Sequence, residues 1–227
     1  MMNLKVGKTK CKIPNQWDEL NISQYAKIVH ILQQHEVIDI SDIDEDHAKQ
    51  RQKMINIKAN RDVFEFLTGL DQQTILQCNL DQMNTCLEMM ATFLNTKVDE
   101  RIKEKDVAHS FTWKNKEYFF PLQNMTETTF GSYIESEQIL MNAKEIEGGR
   151  FGLIAKQMAI LCKEKNEETT DELIEKKTRI FEKLPMNIAW SFVFFLMKRT
   201  NTFRKNIQTS SKMVIDPTID TQMKTGI

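Results

Sequence analysis

Between residues 186 and 197 the chain reads MNIAWSFVFFLM, ten apolar positions in twelve. A helix rises about 1.5 Å per residue, so this run reaches about 18 Å where a bilayer core needs about 30 Å. It is too short to cross a membrane. It predicts a helix apolar nearly all round, either central to a C-terminal bundle or partly a contact surface between subunits. Pro185 suits the first turn, where its missing N–H costs nothing, and Lys198 and Arg199 suit the last, where cations complement the dipole.

Upstream, apolar residues recur at helical spacing. Asn21 is placed to cap a helix carrying Tyr25, Ile28, Val29 and Leu32 on one face. The charged, Gln-rich stretch 41–61 leads into Val63, Phe64, Leu67 and Leu70, with Gly69 placed to end the helix in a left-handed turn. Met83, Leu87, Met90 and Leu94 predict a helix over about 80–96. Phe130, Tyr133, Ile134 and Leu140 form a further stripe, interrupted by Gly148 and Gly149. Leu153, Ile154, Met158 and Leu161 form the next. Ile174, Thr178 and Phe181 form the last before residue 186, and Thr169 with Glu172 has capping-box spacing at its start. Short loops between these helices predict a compact bundle.

Two segments leave the helical period. LKVGKTKCKI, 4–13, alternates apolar and basic residues and predicts one short strand or extended arm ended by Pro14. FTWKNKEYFFP, 111–121, sets two aromatic-rich runs about a Lys-Asn-Lys turn and predicts a β-hairpin. KVDERIKEKDVA, 97–108, has eight charged residues in twelve and marks the best boundary between two halves. The last 27 residues show neither period and predict an extended tail whose Met213, Val214 and Ile215 could dock on a neighbour. The expected organisation is an N-terminal strand or arm over 1–14, a helical part over 15–108, a hairpin over 109–122, a helical bundle over 123–200 and a tail over 201–227.

Composition supports a mainly α protein: only seven Gly and four Pro occur in 227 residues. The 31 Lys and Arg balance 32 Asp and Glu, so no bulk field draws the chain to nucleic acid or lipid. The local exception is 198–212, with five basic residues and no acid, where Arg204 and Lys205 could meet phosphate or an acidic partner. MMNLKVGKTKCKIP lacks an apolar signal region, so the protein is expected to be made in, and kept in, the cytoplasm of its cell.

Chemistry-bearing patterns are sparse. Cys11, Cys78, Cys86 and Cys162 lie singly and read as small hydrophobes kept reduced. His30 and His35 fall on different faces of a helix, and His47 and His109 stand in unrelated contexts. Asp42, Asp44, Glu45 and Asp46 lack the Gly and terminal Glu of a calcium loop and read as a loop or helix start. No zinc-protease, nucleophile-elbow or phosphate-loop pattern occurs, and EGGRFG at 147–152 does not match the dinucleotide fingerprint. The expectation is therefore a non-enzyme with no cofactor, no metal, no small-molecule substrate and no membrane partner.

IPNQWDELNISQYAKI resembles the opening of small proteins encoded in the structural gene clusters of tailed bacteriophages of Bacteroidetes hosts, including crAss-like phages. There a strand ends in Pro and is followed by Trp-Asp-Glu and a short helix. The hairpin FTWKNKEYFF, the helix LIAKQMAILCK, an acidic loop and TRIFEKLPMNIAWSFVFFL resemble the same group, over most of residues 10–197. KEKNEETTDEL departs from it by lacking the Pro and Tyr common there, so no subfamily follows. The resemblance implies a virion protein of the neck or tail, a ring or connector subunit contacting its own copies and other neck or tail proteins. The same resemblance also allows a tail-assembly chaperone for the tape-measure protein, with Met83, Met89, Met90, Met158, Met186 and Met197 as adaptable contacts. A DNA-associated or host-directed regulator is a third possibility. The expected location is the virion, after synthesis in the host bacterial cytoplasm. Candidate partner contacts are Trp190, Phe194, Phe195, Arg204, Lys205, Met213, Val214 and Ile215.

Overall fold

The computed structural model describes residues 1–7, 9–35, 45–94, 109–121, 128–141 and 143–196. The protein is mainly α-helical, with a short N-terminal strand pair and a small central hairpin. The predicted tail 201–227 and the charged boundary 97–108 lie outside the described residues.

The N-terminal segment is two strands where the sequence suggests one. β1 (Met2–Val6) and β2 (Thr9–Ile13) pair antiparallel, with Val6 opposite Thr9 and Met2 opposite Ile13. Gly7, at φ +60°, supplies the left-handed backbone that a two-residue reversal requires. The alternation is real, but the chain turns back in its middle. Val6, Cys11 and Ile13 then point into the core.

α1 (Ile22–Gln34) starts where Asn21 predicts. The Asn21 side chain accepts from the Gln24 N–H, and the Gln24 side chain accepts from the Asn21 N–H, a reciprocal cap. Two further N–H groups of this start donate to the distant chain: Ile22 to the Leu184 carbonyl at 3.0 Å and Ser23 to the Glu182 carbonyl at 3.0 Å. In return the Met186 N–H donates to the Leu20 carbonyl at 2.8 Å. The start of α1 and the start of the final helix thus satisfy each other's unpaired backbone groups.

α2 (Glu45–Thr68) absorbs the charged stretch into the helix that carries Val63 and Phe64, and Gly69 ends it at φ +67° as predicted. Glu45 and Asp46 occupy its first turn, the helix-start reading of that acidic patch, while Asp42 and Asp44 lie outside the described residues. α3 (Gln72–Leu76), which periodicity does not predict, is one turn capped by Asp71. α4 (Leu80–Leu94) buries Cys86, Met90 and Phe93, with Met83, Leu87 and Leu94 partly covered beside them.

The central hairpin forms as predicted. β3 (Ser110–Trp113) pairs with β4 (Lys116–Phe119), and the turn is Lys114 and Asn115 alone, at φ +50° and +63°. Lys116 already pairs with Trp113. Positive φ at both turn residues matches the right-handed twist of the strands. Phe119 exchanges backbone hydrogen bonds with Lys163, which ties the hairpin to the bundle.

α5 (Phe130–Met141), α6 (Arg150–Leu161), α7 (Asp171–Phe181) and α8 (186–196) form the C-terminal bundle. α6 is its hub, packed against α1, α5 and α7. Two predictions are corrected here. α5 meets α6 with buried Ser132 and Ser136, and Ile134 of the predicted stripe is exposed. The small serines permit close approach of the backbones, and buried Gln157 reaches the Ser136 carbonyl at 3.5 Å. The cap of α7 is Thr170, whose hydroxyl accepts from the Leu173 N–H, while the Thr169 hydroxyl is buried with no partner among the described residues. The helix thus starts one residue later than the capping-box pattern suggests, with Asp171 and Glu172 in its first turn and Ile174, Lys177 and Phe181 buried.

Gly148 stands at φ +75°, and a Cβ there would lie 2.5 Å from the Ala26 carbonyl of α1. The glycine pair both breaks the helix and lets the chain cross α1 at backbone distance. One apolar core results, joining Ile13, Ile28, Phe64 and Met90 with Met158, Phe181 and Phe192.

Candidate interaction surface

The apolar run of α8 is sided. Met186, Ala189 and Phe192 are fully buried, and Trp190 is 8% exposed. Trp190 meets Trp17, Tyr25 and Phe151 edge-on, with ring centroids 5.6, 5.7 and 5.5 Å away. The Trp17 and Trp190 indole N–H groups have no acceptor among the described residues, so ring contact and apolar burial hold this cluster. Trp190, expected as a partner contact, is spent on the chain's own core. Phe194 and Phe195 are half-buried, and Phe195 stacks on Phe120 at 6.4 Å. These two still offer ring surface beside the core. Arg204, Lys205, Met213, Val214 and Ile215 lie outside the described residues.

Lys177 is a residue the sequence reading misses. Its side chain is 3% exposed, and its ammonium donates to Glu167 at 2.5 Å and to the Cys162 carbonyl at 2.6 Å. The charge also lies 5.6 Å from the Tyr118 ring centroid and 5.7 Å from that of Phe181. Lys177 therefore joins the C-terminal end of α6, the acidic loop, the hairpin and α7. A cation beside the last carbonyls of a helix is favoured by the dipole, and its burial is tolerable because a carboxylate, a carbonyl and two ring faces surround it. The available signal was its position between Ile174 and Phe181 on the same helical face. The arrangement is a structural tie.

The thiols are buried or partly covered: Cys11, Cys86 and Cys162 are buried and Cys78 is intermediate. Burial pushes all four up from the usual thiol range, Cys162 most strongly. Such thiols are poor nucleophiles at neutral pH. His35 binds Asp62 at 2.8 Å, which Arg61 also holds, and His30 faces Gln34. Among the described residues no group of three or more His, Cys, Asp or Glu side chains is placed to hold a metal ion, and no helix is long and apolar enough to cross a membrane.

The open apolar surface lies elsewhere. No residue from 45 to 58 is buried, although α2 continues through them for about 21 Å at 1.5 Å per residue. Local contacts such as Lys49 with Glu45 support this half, and Met54 and Ile57 stand exposed on it. Phe66, Leu76, Leu80 and Met89 are also exposed, Leu76 at 68% and Leu80 at 72%. These six are the majority of the eleven large exposed apolar side chains among the described residues. Of the methionines expected as adaptable contacts, Met90, Met158 and Met186 are buried, Met83 is intermediate, Met89 is exposed and Met197 lies outside the described residues.

The chain matches no protein-family model, no curated protein and no solved structure.

Proposed function

We propose that this protein is a non-enzymatic structural component of a tailed-bacteriophage particle, a ring or connector subunit of the neck or tail that works through contacts with its own copies and neighbouring proteins. The resemblance of residues 10–197 to phage structural-cluster proteins supplies the context. The observation that carries the reading is the uncovered first half of α2 together with the exposed Met54, Ile57, Phe66, Leu76, Leu80 and Met89. A helical segment of about this length is marginal without tertiary partners, and apolar side chains gathered on α2, α3 and α4 are surface that association would cover. The half-buried Phe194 and Phe195 add a smaller patch on α8.

A tail-assembly chaperone is the second reading. It would keep an adaptable apolar surface, and exposed Met54 and Met89 favour it, while burial of Met90, Met158 and Met186 removes half of the methionines it would draw on.

Quantitative mass spectrometry of purified particles against infected-cell lysate separates the two. Several copies per particle support the virion component. Abundance in the lysate with absence from the particle overturns it in favour of a chaperone or regulator.

A further inference from the structure

The β1–β2 ribbon sorts its side chains by charge across its two faces. Val6, Cys11 and Ile13 face the core, with Leu4 packed beside them. Asn3, Lys5, Lys10 and Lys12 are exposed on the opposite face. The register sets Lys5 directly against Lys10 and Asn3 against Lys12. Like charges directly opposite on a strand pair destabilise it, with Cβ atoms only about 5 Å apart.

Nothing described relieves that repulsion. Residues 1–17 contain no Asp or Glu. The nearest carboxylates in sequence are Asp18, which is exposed and forms no ion pair with a described residue, and Glu19, which is engaged by the Met1 amine and the Asn15 N–H. Lys5, Lys10 and Lys12 form no ion pair with a described residue.

We propose that this face binds the phosphate backbone of duplex nucleic acid without reading its sequence. The concentrated positive charge complements closely spaced phosphates, and binding them would release counterions from the duplex. A two-stranded ribbon also fits a major groove about 12 Å wide. The face offers only Asn and Lys side chains. It therefore lacks the aromatic platform that single strands stack upon and the arginine forks that select bases. It equally lacks the buried aromatic or aliphatic anchor on which a protein partner would depend. This assignment goes beyond the assembly reading and does not require it, and it places the contact at the opposite end of the sequence from Arg204 and Lys205.

The test is fluorescence anisotropy of a labelled duplex with the full chain over about 50 to 200 mM salt. Binding is expected to weaken steeply as salt rises. The triple variant Lys5→Gln, Lys10→Gln, Lys12→Gln should bind at least about tenfold more weakly at the low-salt end and lose about 2 to 3 from the log–log salt slope, since each phosphate contact contributes about 0.9. The corresponding triple Lys→Arg variant should retain the slope, and Arg204→Ala with Lys205→Ala should leave the ribbon's share intact. Circular dichroism checks that the variants are folded. No duplex binding at low salt, an unchanged slope in the Gln variant, or binding lost only with Arg204 and Lys205 would each overturn the assignment. So would binding to vesicles containing phosphatidylserine with none to the duplex.

Discussion

Helix α6 and the first half of α2 are nearly equal in length and opposite in environment. α6 has eight buried residues in twelve, because α1, α5 and α7 all pack against it. Residues 45–58 have none. Each segment carries a methionine in its second half, Met158 fully buried and Met54 55% exposed. The same side chain is core in one helix and surface in the other, so neighbours decide its part. Where other described elements pack against it the helix is covered, and where none of them does its side chains stay exposed.

The most damaging test of the closed region concerns its buried charge. Lys177→Ala leaves Glu167 without its cation in an enclosed site and should cost about 3 to 5 kcal/mol in urea unfolding. Adding Glu167→Leu should recover much of that loss, because no uncompensated charge remains. A cost for Lys177→Ala under about 1 kcal/mol, the range of surface pairs, would show that the tie is not enclosed.

The methionine pair tests the contrast itself. Met158→Ala should cost about 2 to 5 kcal/mol through lost burial and a cavity, whereas Met54→Ala should stay within about 0.5 kcal/mol. Equal losses would erase the distinction. Hydrogen exchange sharpens it: amides of 45–58 should exchange through local fraying, and those of α6 only with global opening. If protection of 45–58 increases with protein concentration, a second copy covers it.

A smaller effect comes from the thiols. Burial raises Cys11, Cys78, Cys86 and Cys162 and the phenols of Tyr25 and Tyr118 above their ordinary values. A group whose native pKa is raised leaves stability intact below its unfolded value and removes it as pH climbs, because the unfolded chain ionises first. Stability should therefore hold to about pH 8 and fall from about pH 8.5, where free thiols titrate. Cys162→Ala should make that fall shallower. Alkylation at pH 8 should modify Cys78 first and Cys162 only on unfolding, and early loss of the Cys162 thiol would show the bundle to be open.

Much of this architecture was legible from local rules. Asn21 as a cap, Gly69 as a helix end, the aromatic hairpin and the helical stripe about Met158 depend on interactions within a few residues. The misses depend on contacts between distant residues. The capping-box spacing points to Thr169, but the hydroxyl of Thr170 makes the cap and that of Thr169 is buried. Ile134 continues an apolar stripe, but close approach through Ser132 and Ser136 turns it outward. Of the expected partner contacts, Trp190 was drawn inward by three rings brought from elsewhere in the chain.

The amino-acid sequence by itself determined the helical content, the places where helices start and break, and an apolar run too short for a bilayer, because propensity, capping and rise per residue act locally. Only the tertiary structure decided that Lys177 is buried, that Trp190 is core, that the first half of α2 stands uncovered, and that Lys5, Lys10 and Lys12 share one exposed face. Burial and the meeting of charges depend on which segments fold against one another, and residues far apart in sequence supply the enclosing surface.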